Sequence, residues 1–293
     1  MSVLENTSGE SGKWTLLQEL SGHQGAVYDL ARGEEGDLWS VGGDGWMVRW
    51  PAEDGSWSVS GEAMARTEQA LFALDVVQGQ VLAGGADGGL VQWTQGGITI
   101  LSGHEGGTYC LQGEFSGGAD GKLRLWKSGK TLGQVQGRIR CVANHNGHHW
   151  VGTHDGRVHH LEGRKSQSLH EGSLRAILKW PGKDVWGTAG GDGSIRVWKA
   201  SDARWELLVN IDAHKGSVYR LLPSPDGRYV ASVSRDRSIA IWHADTLELQ
   251  QRLSRPTSPG HTRSVNALCF LDPHTMASAG DDGRILIWGL KST

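Results

Sequence analysis

The segments "GGADGKLRLW" (residues 117–126) and "GGADGGLVQW" (residues 84–93) spell nearly the same ten residues twice in one chain. In both, an Asp-Gly pair lies between residues that favour β-strands, and a Trp follows the Asp by six positions. Asp-Gly is a strong hairpin signal because both residues tolerate a positive φ. Each segment is therefore predicted to form two antiparallel strands joined by a tight turn.

The same spacing occurs seven times along the chain. Successive Asp residues are 33 to 46 positions apart, an apolar residue always lies three positions before the Trp position, and Asp-Gly is present in six copies. A period of this size is typical of stacked or radial repeats. The seven pairs are Asp44/Trp50, Asp87/Trp93, Asp120/Trp126, Asp155/Leu161, Asp192/Trp198, Asp236/Trp242 and Asp282/Trp288.

Each unit is predicted to contain four strands. An apolar stretch such as "AVYDL" (residues 26–30) precedes each hairpin, and a weaker one follows it, as in "SWSVS" (56–60), "ITIL" (98–101) and "WELLVN" (205–210). One small sheet cannot bury both of its faces alone, so the units must pack on one another. The 44 Gly, 14 Trp and 7 Pro fit many short strands joined by tight turns. The fold class is therefore predicted to be all-β.

The two ends of the chain are predicted to meet. After Trp288 only "GLKST" remains, too little for the last unit's fourth strand. "KWTLLQEL" (residues 13–20) precedes the first complete unit and is similar to the fourth-strand segment "RWELLVNI" (204–211). We therefore expect the N-terminal strand to complete the last unit, which removes an open sheet edge. This gives one domain over residues 13–293, preceded by a disordered tail over residues 1–12.

Charge and composition argue against several classes of partner. The 29 basic and 32 acidic residues nearly cancel, so no basic field favours nucleic acid. No basic and apolar leader and no run of roughly 20 apolar residues is present, so we expect a cytoplasmic protein with no membrane partner. Cys110, Cys141 and Cys269 are too scattered for a disulfide framework. We expect no cofactor, and we expect the protein to be a monomer.

The repeat resembles the WD-repeat β-propeller family over residues 13–288. Gly22-His23, Gly103-His104 and Gly260-His261 match the family's Gly-His element, with Leu169-His170 and Ala213-His214 as variants. No repeat Trp is followed by the family's Asp. The resemblance implies a seven-bladed propeller of four antiparallel strands per blade. It also implies a non-catalytic scaffold or adaptor that binds a peptide or protein surface.

Five units carry a His together with a Ser or Thr and the turn Asp, while units 2 and 4 lack the set. A Ser-His-Asp arrangement can perform nucleophilic catalysis. Five copies of one catalytic site in one monomer would be hard to explain, and the resemblance implies structural tetrads that include the Trp. We therefore expect no enzyme. The five His/hydroxyl pairs are His23/Ser40, His104/Ser116, His170/Thr188, His214/Ser232 and His261/Ser278.

Matching positions to the family places one set of residues at the mouth of the central channel, on the top face. The first three units supply aromatic residues with small neighbours that leave the rings exposed, and the next three supply Arg and His. Such residues dominate binding hot spots. A partner carrying acidic and aromatic residues is therefore expected, with "SRPTSPGHT" (254–262) on the same face and "RGEEGD" (32–37) on the opposite one. The predicted binding residues are Tyr28, Phe72, Tyr109, Arg138, Arg140, His154, Arg175, Tyr219, Arg235 and Asn266.

An alternative function uses the histidine-rich fourth unit, "HNGHHWVGTHDGRVHH" (residues 145–160). Its hairpin brings His148 or His149 near His159 or His160, and imidazoles across two strands can hold Zn²⁺ or Cu²⁺. Neighbouring residues on a strand point to opposite faces, however, and the sequence offers no evident third ligand. The alternative is a metal-binding or metal-dependent enzymatic module.

Overall fold

The computed structural model describes residues 12–201 and 204–291, and it forms seven four-stranded antiparallel sheets arranged as a β-propeller. The predicted tail over residues 1–12 lies outside the described residues except for Gly12. Across the described part of the chain, no helix has the length and apolar character to cross a bilayer. The all-β prediction and the seven units are confirmed.

Each blade runs from an innermost strand at the channel to an outer strand at the rim. Blade 1 contains β2 (Val27–Arg32), β3 (Leu38–Gly42), β4 (Trp46–Trp50) and β7 (Glu62–Arg66), with a small hairpin of β5 (Ala52–Glu53) and β6 (Ser56–Trp57). Blade 2 contains β8 (Leu71–Val77), β9 (Gln80–Gly85), β10 (Leu90–Thr94) and β11 (Gly97–Leu101). Blade 3 contains β12 (Thr108–Gln112), β13 (Phe115–Gly118), β14 (Lys122–Leu125) and β15 (Lys130–Gln134).

The remaining four blades follow the same order. Blade 4 contains β16 (Ile139–His145), β17 (His148–Thr153), β18 (Arg157–His160) and β19 (Lys165–Ser168). Blade 5 contains β20 (Leu174–Lys179), β21 (Trp186–Gly190), β22 (Ser194–Ala200) and β23 (Trp205–Asp212). Blade 6 contains β24 (Val218–Pro223), β25 (Tyr229–Ser234), β26 (Ile239–His243) and β27 (Leu249–Leu253). Blade 7 contains β28 (Val265–Asp272), β29 (Thr275–Gly280), β30 (Arg284–Lys291) and β1 (Lys13–Ser21).

The N-terminal strand closes the ring as predicted. Strand β1 pairs with β30 from Lys13↔Lys291 to Ser21↔Arg284, so the two ends of the chain share blade 7. Trp14 and Leu20 of β1 are buried. Gln251 of blade 6 adds two hydrogen bonds to the backbone of Trp14, at 2.8 and 2.9 Å. Closure therefore combines strand pairing with side-chain burial.

The hydrophobic core lies between neighbouring blades. One cluster joins Val27 and Trp50 of blade 1 to Ala267 and Ile285 of blade 7, and similar clusters lie between the other blades. Each innermost strand contacts the innermost strands on both sides, and β2 contacts β28 to complete the circle. Each sheet buries its two faces against the neighbouring sheets, which one small sheet could not do alone.

The outer strand of blade 1 differs from its prediction. "SWSVS" does not form it; residues 52–57 make the β5–β6 hairpin instead, turning at Asp54 and Gly55, which both have a positive φ. Trp57 is buried and its indole N–H donates to Gly36 O at 3.1 Å. Strand β7, which pairs with β4, takes the outer place.

Candidate functional site

The His, hydroxyl and Asp residues form hydrogen-bonded chains inside the blades. In blade 6, the His214 ring contacts Asp236 through Nδ1 at 3.1 Å and Ser232 Oγ through Nε2 at 2.8 Å, and Trp242 Nε1 donates to the same hydroxyl at 3.0 Å. Blades 1, 5 and 7 contain the same four-membered arrangement. The predicted tetrads are therefore present in these four blades.

Blade 3 departs from the tetrad. His104 contacts Asp120 at 2.8 Å and Ser116 at 3.0 Å, but Trp126 Nε1 donates to Gly113 O at 2.8 Å and not to the hydroxyl. Strand β14 ends at Leu125, so Trp126 lies just beyond the strand pairing and its indole reaches the neighbouring turn. The set in blade 3 therefore has three members.

The hydroxyl groups of these sets are inaccessible to a substrate. Ser40, Thr188, Ser232 and Ser278 have no exposed surface, and Ser116 is 1% exposed. A nucleophile must reach its substrate, whereas a buried polar network must be internally satisfied. The geometry therefore supports a structural role.

A register shift on every innermost strand places one side chain per blade around the channel mouth, and we call these seven the ring residues. In all seven blades, the pairing between the innermost and second strands skips one residue. An extra residue of this kind re-aims its side chain away from the regular alternation. The skipped residues are Tyr28, Phe72, Tyr109, Arg140, Arg175, Tyr219 and Asn266.

These seven predicted residues line one cavity of about 380 Å³. Arg138 also lines it, together with Arg220 and Asp281, which the sequence prediction did not select. We call this cavity the top mouth. Its volume falls in the range of sites that hold a small ligand or a few side chains.

The aromatic residues of the top mouth form a packed row. Phe72 lies between Tyr28 and Tyr109, with ring centroids 5.5 and 5.6 Å apart, and Arg140 lies over Tyr109 at 4.3 Å. The rings are half-buried, so the expectation that small neighbours leave them exposed is wrong. They cover one another, and their free surface faces the mouth. Arg175 similarly lies over Tyr219 at 4.7 Å.

Two half-buried guanidinium groups at the top mouth have no anionic partner. Among the described residues, neither Arg140 nor Arg175 forms an ion pair, and Arg175 Nε is buried without a hydrogen-bond acceptor. Burial and the neighbouring Arg140 charge lower the pKa of Arg175 to about 10. Burial also lowers the pKa of Arg140. An anion placed between them would relieve this desolvation and repulsion.

The opposite side of the top mouth carries a carboxylate. Asn266 Nδ2 donates to Asp281 Oδ1 at 2.7 Å and to Val27 O at 3.1 Å, which fixes both side chains. Burial, together with the charge of Asp281, raises the pKa of Tyr28. The mouth therefore has a cationic side from blades 4 and 5 and an anionic side from blade 7.

Arg220 is held by an ion pair across the channel. Its guanidinium contacts Asp29 of blade 1, which also accepts N–H bonds from Leu30 and Leu74 at 2.9 Å each. Arg220 and Asp29 each follow a ring residue on their own innermost strand, Tyr219 and Tyr28. Opposite charges at these equivalent positions were the sequence signal for the pair.

Two predicted site residues lie outside the top mouth. Arg235 is exposed and lines a neighbouring depression with Ser254, Arg255 and Thr262 of the predicted top-face loop. His154 is exposed, and its Nδ1 accepts the backbone N–H of Arg138 at 3.2 Å. Both residues precede a turn Asp, as Asp281 does, but of the three only Asp281 lines the top mouth.

The histidines of blade 4 form a second polar cluster. His148 Nδ1 and His160 Nε2 lie 2.9 Å apart, and Glu162 Oε2 lies 3.4 Å from His160 Nε2. Glu162 is the third group that the sequence analysis missed, although it follows His160 by only two positions. Burial alone would raise the pKa of Glu162, but hydrogen bonds from the backbone and ring of His149 hold it below its ordinary value.

Comparison with known proteins agrees with this fold. The model of the family described as "WD domain, G-beta repeat" matches residues 97–127, 205–243 and 253–289. The solved WD40 β-propeller domain of Doa1 superposes with a TM-score of 0.80, covering 95% of this chain and 97% of that domain at 19% identity. That likeness shows the fold alone.

Curated relatives match parts of the chain. "Protein hir1" of Schizosaccharomyces pombe is 27% identical over 165 residues, 47% of this chain and 16% of the relative. "Meiotic recombination protein rec14" of the same organism is 28% identical over 132 residues, covering 45% and 41%. "WD repeat-containing protein 26 homolog" of Arabidopsis thaliana is 35% identical over 102 residues, covering 33% and 16%. The matches span less than half the length of each of these relatives.

Proposed function

Because this chain is a WD-repeat β-propeller, we propose that it is a non-catalytic scaffold whose top mouth binds a protein segment. The segment would carry a carboxylate or phosphate beside an apolar or aromatic residue. The observation that carries the proposal is the pair Arg140 and Arg175, which is half-buried at the mouth without an anionic partner among the described residues. Fold alone does not specify function, so the proposal rests on this site.

The cationic side supplies the anion contact. A guanidinium group can bind a carboxylate or phosphate through two parallel N–H bonds. Arg140 and Arg175 are stacked on Tyr109 and Tyr219, which restricts their rotation before a ligand arrives. Less conformational entropy is then lost on binding. Exposed Arg138 adds positive charge at the rim, where it can accelerate association.

The aromatic side supplies the apolar contact. The row of Tyr28, Phe72 and Tyr109 presents ring surface next to the Arg140 guanidinium. Offset or edge-to-face packing of a ligand ring on such a surface contributes roughly 0.5 to 1.5 kcal/mol beyond area burial. A ligand with both groups close together would use both sides, whereas one with a single group would use half of the site.

The test begins with a peptide library displayed against the intact protein. Selected peptides should be enriched in acidic or phosphorylated residues next to apolar or aromatic ones. Binding of the best peptide is then titrated against the Arg140→Glu/Arg175→Glu variant. Each lost charge-assisted contact costs about 1.5 to 3 kcal/mol, so affinity should fall by roughly 100-fold or more.

Three further variants separate charge from packing. Tyr109→Ala should weaken binding without adding repulsion, and Tyr109→Phe should retain most of it because the ring face remains. Glu34→Lys is the matched control, since Glu34 is exposed in the predicted opposite-face segment. Asp37 of that segment is unsuitable because it is buried and accepts bonds from Trp39 and Arg49. Peptides that bind the double-Glu variant as tightly as the intact protein, but respond to Glu34→Lys, would contradict the proposal.

A further inference from the structure

We propose that blade 4 binds a divalent transition-metal ion of the Zn²⁺ class through His148 Nδ1, His160 Nε2 and a carboxylate oxygen of Glu162. One ligand atom from each of these three residues lies within 4.8 Å of the other two. Two imidazoles and a carboxylate form a ligand set that Zn²⁺ accepts, with room for water at a further position. This site is separate from the top mouth and does not depend on the proposed scaffold function.

Strand pairing places the two imidazoles on the same face. Trp150 of β17 is directly opposite His160 of β18, and His148 lies two residues before Trp150. Because side chains alternate along a strand, His148, Trp150 and His160 share one face of the sheet. The alternation that argued against a metal in the sequence excludes His149 from this face but brings His148 and His160 together.

The spacing of the ligand atoms suits metal coordination. His148 Nδ1 and His160 Nε2 are 2.9 Å apart, and His160 Nε2 and Glu162 Oε2 are 3.4 Å apart. Metal–ligand bonds of about 2.0 to 2.2 Å in a tetrahedral site separate neighbouring ligand atoms by roughly 3.3 to 3.6 Å, so the His160–Glu162 distance fits and the His148–His160 distance must open by roughly 0.4 Å. Small rotations of the side chains are therefore enough to admit the ion.

Neighbouring groups already hold the ligands in place. His149 donates its backbone N–H to Glu162 Oε2 at 2.9 Å, and its Nδ1 contacts Glu162 Oε1 at 2.6 Å. The His149 Nε2 atom lies 2.9 Å from Asn144 Nδ2, which orients the ring. Such support of a ligating carboxylate is typical of metal sites.

The His160 ring is packed and incompletely satisfied. It is 6% exposed and lies flat on Trp150, with ring centroids 5.0 Å apart and planes 11° apart. Its Nδ1 has no hydrogen-bond partner among the described residues. A buried polar group without a partner is costly unless another interaction compensates. Coordination through Nε2 would hold the ring in place but would leave Nδ1 unpaired, and the 39% exposed side chain of Glu162 leaves the cluster open to solvent.

Blade 4 is also a blade without the polar tetrad. Val135, Val151 and Leu161 occupy the positions of the tetrad His, hydroxyl and Trp residues. A metal ion shared by His148 and Glu162 would connect the start of β17 to the turn after β18. It would therefore add a cross-link between strands in a blade that has no tetrad to provide one.

The test uses the untagged full chain after treatment with a chelator. Calorimetric titration with ZnCl₂ should show one ion per chain with micromolar or tighter affinity. The His148→Ala/Glu162→Gln variant should bind at least about 10-fold more weakly, because it loses two ligands. Zn²⁺ should raise the melting temperature of the intact protein and not that of this variant. His160 is retained because its removal would also disturb the packing on Trp150.

Two control variants make the result decisive. His274→Ala removes an exposed histidine of blade 7 and should leave Zn²⁺ binding unchanged. Arg140→Glu/Arg175→Glu alters the top mouth and should also leave it unchanged, which separates this site from the proposed function. The inference is overturned if His148→Ala/Glu162→Gln binds one Zn²⁺ as tightly as the intact chain, if His274→Ala abolishes binding, or if the intact chain binds no Zn²⁺. In the last case the His148–His160 contact is a hydrogen bond only.

Discussion

Replacing Asp236 by Ala should destabilise the protein far more than replacing Asp87, although both occupy the same turn position of the repeat. Asp236 accepts hydrogen bonds from Lys215 N at 3.0 Å and from the backbone and hydroxyl of Ser238 at 3.0 and 2.6 Å, and it contacts His214 Nδ1 at 3.1 Å. Asp87 is exposed and accepts one bond, from the backbone N–H of half-buried Gly89 at 2.9 Å. The chain thus provides its own matched control.

The magnitude of the destabilisation depends on which hydrogen-bond partners of Asp236 can be solvated after the substitution. Lys215 N is exposed and can be solvated, whereas the His214 side chain is completely buried. Leaving one buried donor without its charged acceptor costs about 1 to 3 kcal/mol. An exposed substitution such as Asp87→Ala usually changes stability by less than about 0.5 kcal/mol. The two variants should therefore differ by about 1 kcal/mol or more in the free energy of unfolding.

Acid should reduce this difference. Burial alone would raise the pKa of Asp236, but hydrogen bonds from His214 and Ser238 and the His214 charge hold it well below its ordinary value. The folded pKa is lower than the unfolded one, so the unfolded state binds more protons between the two values and stability rises with pH there. The contribution is complete above an unfolded pKa of about 3.9 and is lost as the pH falls towards the folded pKa. Asp236→Ala should flatten this part of the pH profile.

Urea unfolding followed by tryptophan fluorescence measures these effects at pH 7 and at intervals below pH 5. A His214→Leu background adds a double-mutant cycle, in which Asp236→Ala should cost at least about 1 kcal/mol less than in the intact protein. The structural explanation of the repeated Asp is refuted if Asp87→Ala is as damaging as Asp236→Ala. It is also refuted if the two substitutions in blade 6 are additive.

Four further substitutions test the closing strand, the cross-channel ion pair and one turn by the same urea assay. Trp14→Ala should lower the free energy of unfolding by about 3 to 5 kcal/mol because Trp14 is 2% exposed in the closing strand. Leu17→Ala, at a 51% exposed position of that strand, should lower it by less than about 0.5 kcal/mol. Equal losses would contradict closure by β1. Asp29→Ala should lower the free energy of unfolding by about 2 to 4 kcal/mol. This is less than the loss expected on breaking a fully buried ion pair, because Arg220 is 32% exposed in the channel. A loss below about 1 kcal/mol would contradict a stabilising cross-channel pair. Arg237→Gly should gain up to about 1 kcal/mol because Arg237 has a φ of 72°, and a clear loss would contradict backbone strain at this turn.

The fold could be predicted because its main signal is repeated seven times. Asp-Gly marks the turn in six of the seven units. In the other unit, Arg237 follows the Asp and adopts the positive φ that Gly has elsewhere. The closing strand was predictable because the last unit lacked a partner that the N-terminal segment could supply. "SWSVS" was mispredicted because its alternating pattern suits an outer strand, although Asp54-Gly55 just before it carries the same hairpin signal as the other turns, and Trp57 contacts Gly36 and Gln18 in the folded chain.

The residues of the candidate site could be predicted where the place of a residue in the repeat determines the direction of its side chain. The seven ring residues share one register shift, so each reaches the top mouth whatever its chemical type. Residues before a turn Asp have no such constraint: Asp281 lines the top mouth, whereas Arg235 and His154 lie elsewhere. The Arg220–Asp29 pair and the contact of Glu162 with His160 depend on distances across the channel or around a turn, which residue spacing alone does not give.

The buried hydroxyl groups of the tetrads have hydrogen-bond partners, whereas each candidate site contains a buried polar atom without one, as do a few other buried side chains such as Trp14. The Ser232 hydroxyl is completely buried and has partners in both His214 and Trp242, so no ligand is needed to complete it. By contrast, Arg175 Nε at the top mouth and His160 Nδ1 in blade 4 are buried side-chain atoms without hydrogen-bond partners among the described residues. A buried polar atom without a partner lowers stability, and such groups in native proteins call for a specific explanation. An anion at the top mouth would bring an acceptor to the Arg175 guanidinium, and a metal ion in blade 4 would bind His160 through its other ring nitrogen, Nε2, so the two proposed ligands should stabilise the protein independently of each other.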